Sequence, residues 1–148
     1  MSIQVSCDIL EMDVDTIVHQ CNATSKRSLG LASSIFKKYP SANIYSGKYK
    51  EENREVGTII ERAVKDKKII NLICQKNPGK PSKGDTSEDR LRWLTECLKL
   101  VVKCKPSSIA FPYHMGCGLA GGNWNEVLKI IEDFALCYPE ISVYICKL

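Results

Sequence analysis

The stretch Ile109-Ala-Phe-Pro-Tyr-His-Met-Gly-Cys-Gly-Leu-Ala-Gly-Gly-Asn-Trp124 decides how the rest of the chain is read. It begins as an apolar strand, Ile109 to Tyr113, and passes into a loop from Met115 to Gly122. Asn123 stands where a helix cap belongs, ahead of a helix from Trp124 to about Cys137 with Val127, Ile131 and Phe134 at helical spacing. Gly116, Gly118, Gly121 and Gly122 fall within seven residues. Glycine lets a backbone take positive φ and approach a ligand closely, so successive amides and the helix start behind them can cradle phosphate oxygens. The same glycines would also suit a tight connection that binds nothing. The loop lacks the Gly-Lys-Ser/Thr ending of a P-loop.

Working outward, a second strand–loop–helix unit lies near the start. Asp15-Thr-Ile-Val-His-Gln-Cys21 is β-branched and apolar without a helical period, which predicts a buried strand. Ser28 is placed to cap a helix from Leu29 to Lys38, with Leu31, Ile35 and Phe36 on one face and Pro40 ending it. A short helix or turn is expected around Ile44 to Lys50. Val56 to Val64 and Lys68 to Cys74 predict two strands joined at Lys65-Asp66-Lys67. Gln75 to Asp85, with two prolines and two glycines, reads as a loop. Thr86 or Ser87 then opens a helix to about Lys103, carrying Leu91, Leu94, Leu98 and Val101 inward. Ile3 to Ser6 and Ser142 to Lys147 complete the strands. Helices interleaved with strands predict an α/β fold, a three-layer α/β/α arrangement with a mixed central sheet. Ligands of such sheets bind beyond the carboxyl ends of the strands, where both loops lie.

Composition narrows the class. The chain has 148 residues, 44% hydrophobic and 26% charged, which suits one domain spanning 1–148 with a core that needs no staple. No apolar run approaches the roughly 20 residues of a membrane helix. The start lacks a basic segment before an apolar one, so no secretion signal is expected. A net charge of +4 suits small anionic ligands and is too diffuse to argue for a nucleic-acid surface. Eight cysteines show no Cys-x2-Cys pair, and with two histidines they offer no metal cluster. They read as reduced thiols, the expectation being a cytoplasmic or nuclear compartment.

Taken together, four blocks resemble the macrodomain family of ADP-ribose-binding proteins. They are Cys7-Asp8-Ile9 after the first strand, Ile17-Val-His-Gln-Cys-Asn22 after the second, Gly30-Leu-Ala32 entering the first helix, and the stretch from Ile109 to Trp124. The match runs along nearly the whole chain in order. It is nearest to the branch of ADP-ribose-1″-phosphate phosphatases and terminal ADP-ribose–protein glycohydrolases. The resemblance implies that Asp8 accepts from the adenine amino group and that Ile9 supplies the neighbouring contact. Asn22 would bind the distal ribose, with Gly30 and Leu31 beside it. Gly116, Cys117, Gly118, Leu119, Ala120 and Gly121 would form the diphosphate loop, capped by Trp124. It implies no cofactor and no metal. The partner would be ADP-ribose or a derivative, free or protein-linked; from composition no membrane is expected, nucleic acid is disfavoured, and a monomer is the favoured state.

The chain departs from the glycohydrolase branch at two positions. Ala120 stands where that branch has an aspartate, and Gln75 meets the lysine that forms its sugar adduct. The phosphatase branch carries a histidine three residues before the asparagine, here His19, suited to act as a general acid or to position a water. His114 is a second, weaker candidate. Three functions follow: hydrolysis at the distal ribose with His19 and Asn22 as catalytic residues, ADP-ribose binding without turnover, or a thiolate phosphatase. The last rests on the Cys-x5-Arg-Ser spacing of Cys21, Arg27 and Ser28.

Overall fold

In a computed structural model describing residues 1–148, strands and helices alternate along the chain. Strand β1 spans Ile3–Ser6 and β2 Thr16–Asn22; helix α1 follows at Gly30–Lys38. Strands β3, Thr58–Val64, and β4, Lys67–Gln75, form the expected hairpin, each displaced by a residue or two from its sequence bounds. Helix α2 is Ser87–Lys103, β5 Ser108–Pro112, α3 Trp124–Cys137 and β6 Ser142–Lys147. The expected element around Ile44 to Lys50 shrinks to a 3-10 turn at Gly47–Tyr49.

The sheet order is β1-β6-β5-β2-β4-β3. Every neighbouring pair is parallel except β3 with β4, so the sheet is mixed. Alternate residues of each central strand face opposite sides, as the two-residue strand period requires. Val18, Ile70, Leu72, Ile109, Phe111 and Ile145 pack with Leu94, Leu98, Ile131 and Phe134 of α2 and α3. Ile17, Cys21, Ile69, Ile73 and Ala110 pack with Ile35 and Phe36 of α1. This is the three-layer α/β/α arrangement. Each fully buried isoleucine contributes roughly 1.5–3 kcal/mol.

The helix starts differ. Thr86 accepts from the Asp89 amide while the Asp89 carboxylate accepts from the Thr86 amide, a reciprocal cap for α2. Asn123 accepts from the Asn125 and Glu126 amides ahead of α3. The expected Ser28 cap on α1 is not made. Extended backbone at Leu29 followed by Gly30 at φ +57° puts Leu29 at the cap position, and its side chain has no acceptor. Because β1, β6, β5, β2 and β4 run the same way, Asp8, Tyr113, Asn22 and Gln75 all emerge at or just past one edge of the sheet.

Candidate functional site

At that edge lies a cleft of about 430 Å³, a volume suited to a small-molecule ligand. The first wall rises from the end of β2 into α1. Asn22 is buried; its Oδ1 accepts from the amides of Thr24 at 3.2 Å and Ser25 at 2.8 Å, and its own amide donates to the Tyr45 hydroxyl at 2.9 Å. The Nδ2 group of Asn22 has no partner in the chain. Gly30, Leu31 and Ala32 line the cleft, and with no cap their amides are also unpartnered. An uncapped helix start carries partial positive charge and open donors, both suited to an anion.

The glycine loop forms the opposite wall. It is braced by its own bonds, Met115 N–H to Pro112, Cys117 to His114, Gly121 to Gly118 and Gly122 to Gly116. The amides of Gly116, Gly118, Leu119 and Ala120 have no partner, and these four residues line the cleft. Gly116 holds φ +74°, and a Cβ there would come within 2.6 Å of the Gln20 Oε1. No other residue type fits that position without moving Gln20.

Beneath the loop lies a buried ion pair that sequence reading missed. Arg90 donates to both oxygens of Asp85, at 3.0 and 2.7 Å. Its other N–H groups reach the carbonyls of Asn77, Gly79 and Ala120, at 3.2, 3.0 and 3.1 Å. Asp85 also accepts from the Lys76 and Asn77 amides. One guanidinium therefore ties the 76–85 loop to the glycine loop. Burial pushes the Asp85 carboxyl up, but Arg90 and the two amides outweigh it and hold it down at about 2. Asp85 precedes the α2 cap and Arg90 lies in its first turns, five residues on, but nothing in that spacing separates them from a surface pair.

Gln75, at the adduct-lysine position, is likewise committed. Its Nε2 donates to the Asn77 and Gly79 carbonyls and its Oε1 accepts from Gln20 at 2.8 Å. A neutral amide so engaged cannot form a sugar adduct. Lys76, the next residue, is exposed and does not line the cleft.

His19 borders the cleft but is only 2% exposed. Its Nε2 lies 2.7 Å from the Asn71 Oδ1, and Phe36 meets the ring edge-on. Burial drives its pKa down to about 4, against the Asn71 hydrogen bond, which favours the charged form. At neutral pH the ring is uncharged, so it fits a base and not the general acid considered from sequence. The Cys21 thiol is 2% exposed and burial pushes it up to about 12. Buried, outside the cleft lining and held protonated, this thiol does not fit the thiolate-phosphatase reading; Arg27 lines the cleft, but the guanidinium felt by Cys21 is that of Arg54.

Of the residues expected at the site, His19, Asn22, Gly30, Leu31, Gly116, Gly118, Leu119 and Ala120 line one cleft. Asp8, Ile9, Cys117, Gly121 and Trp124 are not part of that lining. Asp8 caps the 3-10 turn Ile9–Glu11 by accepting from the Leu10 amide at 3.0 Å, and Ile9 is buried in the core. Cys117 packs into the α2–α3 side, its thiol turned to the Met115 carbonyl. Gly121 is exposed and turns the chain at φ +72°. Trp124 packs edge-on to Tyr113 and His114 at 5.2 and 5.6 Å. His114 does line the cleft; it holds φ +59° and stacks on Tyr113 at 4.0 Å. No group of three or more His, Cys, Asp or Glu is placed to hold a metal ion, and no helix is long and apolar enough to cross a membrane.

A mixed α/β sheet with two amide-lined loops at its carboxyl edge defines a class of anion-accepting α/β domains. A family model for the Macro domain matches residues 18–131, and the chain belongs to that family. Among solved structures, the macrodomain of Mycobacterium tuberculosis DarG is 22% identical, with a TM-score of 0.78 over 100% of this chain and 98% of that one. A Bacteroides thetaiotaomicron protein of unknown function is 26% identical at a TM-score of 0.77, covering 100% and 98%. Thermosipho africanus DarTG, solved in complex with ADP-ribose, is 22% identical at 0.68, covering 97% of this chain and 40% of that one. No curated protein sequence matches the chain.

Proposed function

We propose that residues 1–148 act as one macrodomain that binds ADP-ribose or a derivative across this cleft and hydrolyses a phosphoester or ester at its distal ribose. The observation that carries the reading is the pair of unpartnered amide sets, Gly30–Ala32 and Gly116 with Gly118–Ala120, lining the same cavity. Each set suits one end of a diphosphate bridge. Asn22 offers its free Nδ2 to a ribose hydroxyl. Neutral His19 takes a proton from water as the water oxygen attacks phosphorus or the ester carbon. The bond to the distal ribose oxygen breaks, that oxygen takes up the proton His19 had removed, and the amides steady the negative charge that develops. A similar solved structure, Thermosipho africanus DarTG, is in complex with ADP-ribose, which favours the same ligand class here.

Incubation with ADP-ribose-1″-phosphate is expected to release phosphate and leave ADP-ribose, with loss of turnover in His19→Gln. ADP-ribose binding with no release from the unaltered protein would remove hydrolysis and leave the second reading, a binding module. That reading is favoured by Ala120 and the engaged Gln75. In calorimetry, ADP-ribose should bind more tightly than AMP, and Asp8→Ala should weaken it if Asp8 accepts from adenine as the family resemblance implies. Equal affinity for ADP-ribose and AMP would count against the diphosphate assignment.

A further inference from the structure

Asn71, next to the cleft residue His19, is fully buried and has no place in the chemistry described so far. It sits on β4 directly across from His19 on β2 and from Ile60 on β3. Its Nδ2 donates to the Ile60 carbonyl at 3.0 Å, and a carbonyl can only accept. That bond orients the amide and turns Oδ1, an acceptor only, toward His19 at 2.7 Å. The facing ring nitrogen, Nε2, must then carry the proton. The other ring nitrogen, Nδ1, is left with its lone pair.

Nothing in the chain occupies that lone pair in the plane of the ring. The nearest group is the Cys21 sulfur, 3.7 Å from Nδ1 and 3.5 Å from Nε2. A sulfur almost equally far from both nitrogens stands over the face of the ring, because an in-plane position would collide with the carbon between them. The other charged or titratable groups near His19 are the Tyr45 hydroxyl and the Arg54 guanidinium, both next to Cys21. From α1 comes only the Phe36 ring, and from β4 only the Asn71 amide. No carboxylate is present to favour the imidazolium.

We infer that Asn71 is a positioning residue that fixes His19 as the Nε2–H tautomer, so that Nδ1 is the atom that accepts the proton of the attacking water. The relay runs from the Ile60 carbonyl through one amide to one ring, across three adjacent strands. In this respect the neutral amide differs from a carboxylate partner, which would add a full opposing charge. The amide orients the imidazole while favouring its charged form too weakly to offset burial, and so keeps a base available over a wide pH range. The kinetic part of the inference rests on the proposed hydrolysis; the tautomer itself does not.

The experiment is a long-range proton–nitrogen spectrum of the intact protein with nitrogen-15 histidine, in which there are only two rings to observe, His19 and His114. His19→Gln identifies the His19 signals. The expected result is a protonated Nε2 and a bare Nδ1 for His19, unchanged from pH 5 to 9. A protonated Nδ1 would overturn the inference with no variant needed. Asn71→Asp places a carboxylate against the same nitrogen. Its His19 should titrate nearer neutral pH, and the acid limb of phosphate release should move up with it, activity returning at higher pH. Asn71→Leu removes the pin; turnover should fall on the order of 10²-fold, with ADP-ribose affinity held within about twofold. An acid limb in Asn71→Asp that coincides with that of the unaltered protein would also defeat the proposal. Should the unaltered protein bind ADP-ribose and release no phosphate, hydrolysis is lost while the nitrogen spectrum still decides the tautomer.

Discussion

Residues 113–123 and residues 23–29 face each other across the cleft with very different support. The glycine loop closes several hydrogen bonds on itself and gives its Ala120 carbonyl to Arg90, whose charge is matched by buried Asp85. The first loop has the Asn22 side chain under Thr24 and Ser25 and one bifurcated bond from the Ala23 amide to Gln75 and Lys76, and then runs uncapped into α1. Both walls nonetheless present unpartnered amides. These amides differ in exposure: those of Leu31, Ala32, Gly116 and Ala120 belong to half-buried residues, where a missing partner costs stability, while Gly30, Gly118 and Leu119 are open to water. The capped starts of α2 and α3 show that the same chain satisfies its helix amides elsewhere.

The largest effect should come from breaking the braced wall. Arg90→Met leaves Asp85 buried and unpaired, which is expected to cost about 3–5 kcal/mol in urea unfolding and to weaken ADP-ribose binding. Adding Asp85→Leu should recover much of the stability but not the affinity. Recovery of both would mean that the ion pair does not shape the loop.

Acid should separate the two walls by pH. His19, beneath the first wall, has its folded pKa lowered from 6.5 to about 4. The unfolded chain therefore binds a proton that the folded one refuses, and stability falls as pH drops from 6.5 toward 4, by about 3 kcal/mol. Asp85, beneath the second wall, is held at about 2 against an ordinary 3.8, so its contribution is present above that ordinary value and lost only as pH falls toward 2. Unfolding free energies across this range should show both slopes, and His19→Gln should flatten only the upper one. A variant slope unchanged between pH 4 and 6.5 would contradict the assignment.

Two glycine substitutions compare the walls directly. Gly116→Ala combines positive φ with a contact at 2.6 Å, so a loss on the order of 1–3 kcal/mol and a clear drop in affinity are expected. Gly30→Ala meets nothing within 4 Å and bears only its φ of +57°, so its cost should be smaller, about 1–2 kcal/mol. Equal losses in thermal unfolding would erase the distinction drawn between a packed and an open loop.

The smallest effects test the caps. Thr86→Ala should cost about 1 kcal/mol and leave ligand affinity alone. Leu29→Ser supplies α1 with the missing acceptor; it should add several tenths of a kcal/mol to stability and weaken binding, because the new hydroxyl competes with the ligand for the α1 amide donors. Tighter binding in Leu29→Ser would show that the α1 amides do not meet the ligand.

Much of this protein was legible along the chain. Strand and helix periodicity placed β2, α2, α3 and β6 to within a residue or two, because each period is a local property of backbone geometry. Gly116 and its neighbours marked a loop that lines the cleft, since only glycine combines positive φ with no Cβ. The Ser28 cap failed because capping depends on the dihedrals of one residue, and Gly30 moved the helix start past it. Cys21 had the Cys-x5-Arg-Ser spacing of a reactive thiol and His19 stood three residues before Asn22, yet burial leaves the thiol protonated and the ring neutral, so neither acid nor thiolate chemistry fits them.

The sequence by itself determined the layers, the edge at which the site would form and the family to which the chain belongs, all of which follow from periodicity, turn residues and a few contiguous blocks. Only the tertiary structure decided which buried polar groups meet: Arg90 with Ala120, Gln20 with Gln75 and Asn71 with His19. Those partners lie 30, 55 and 52 residues apart, and protonation depends on the surroundings they create together, which no local pattern encodes.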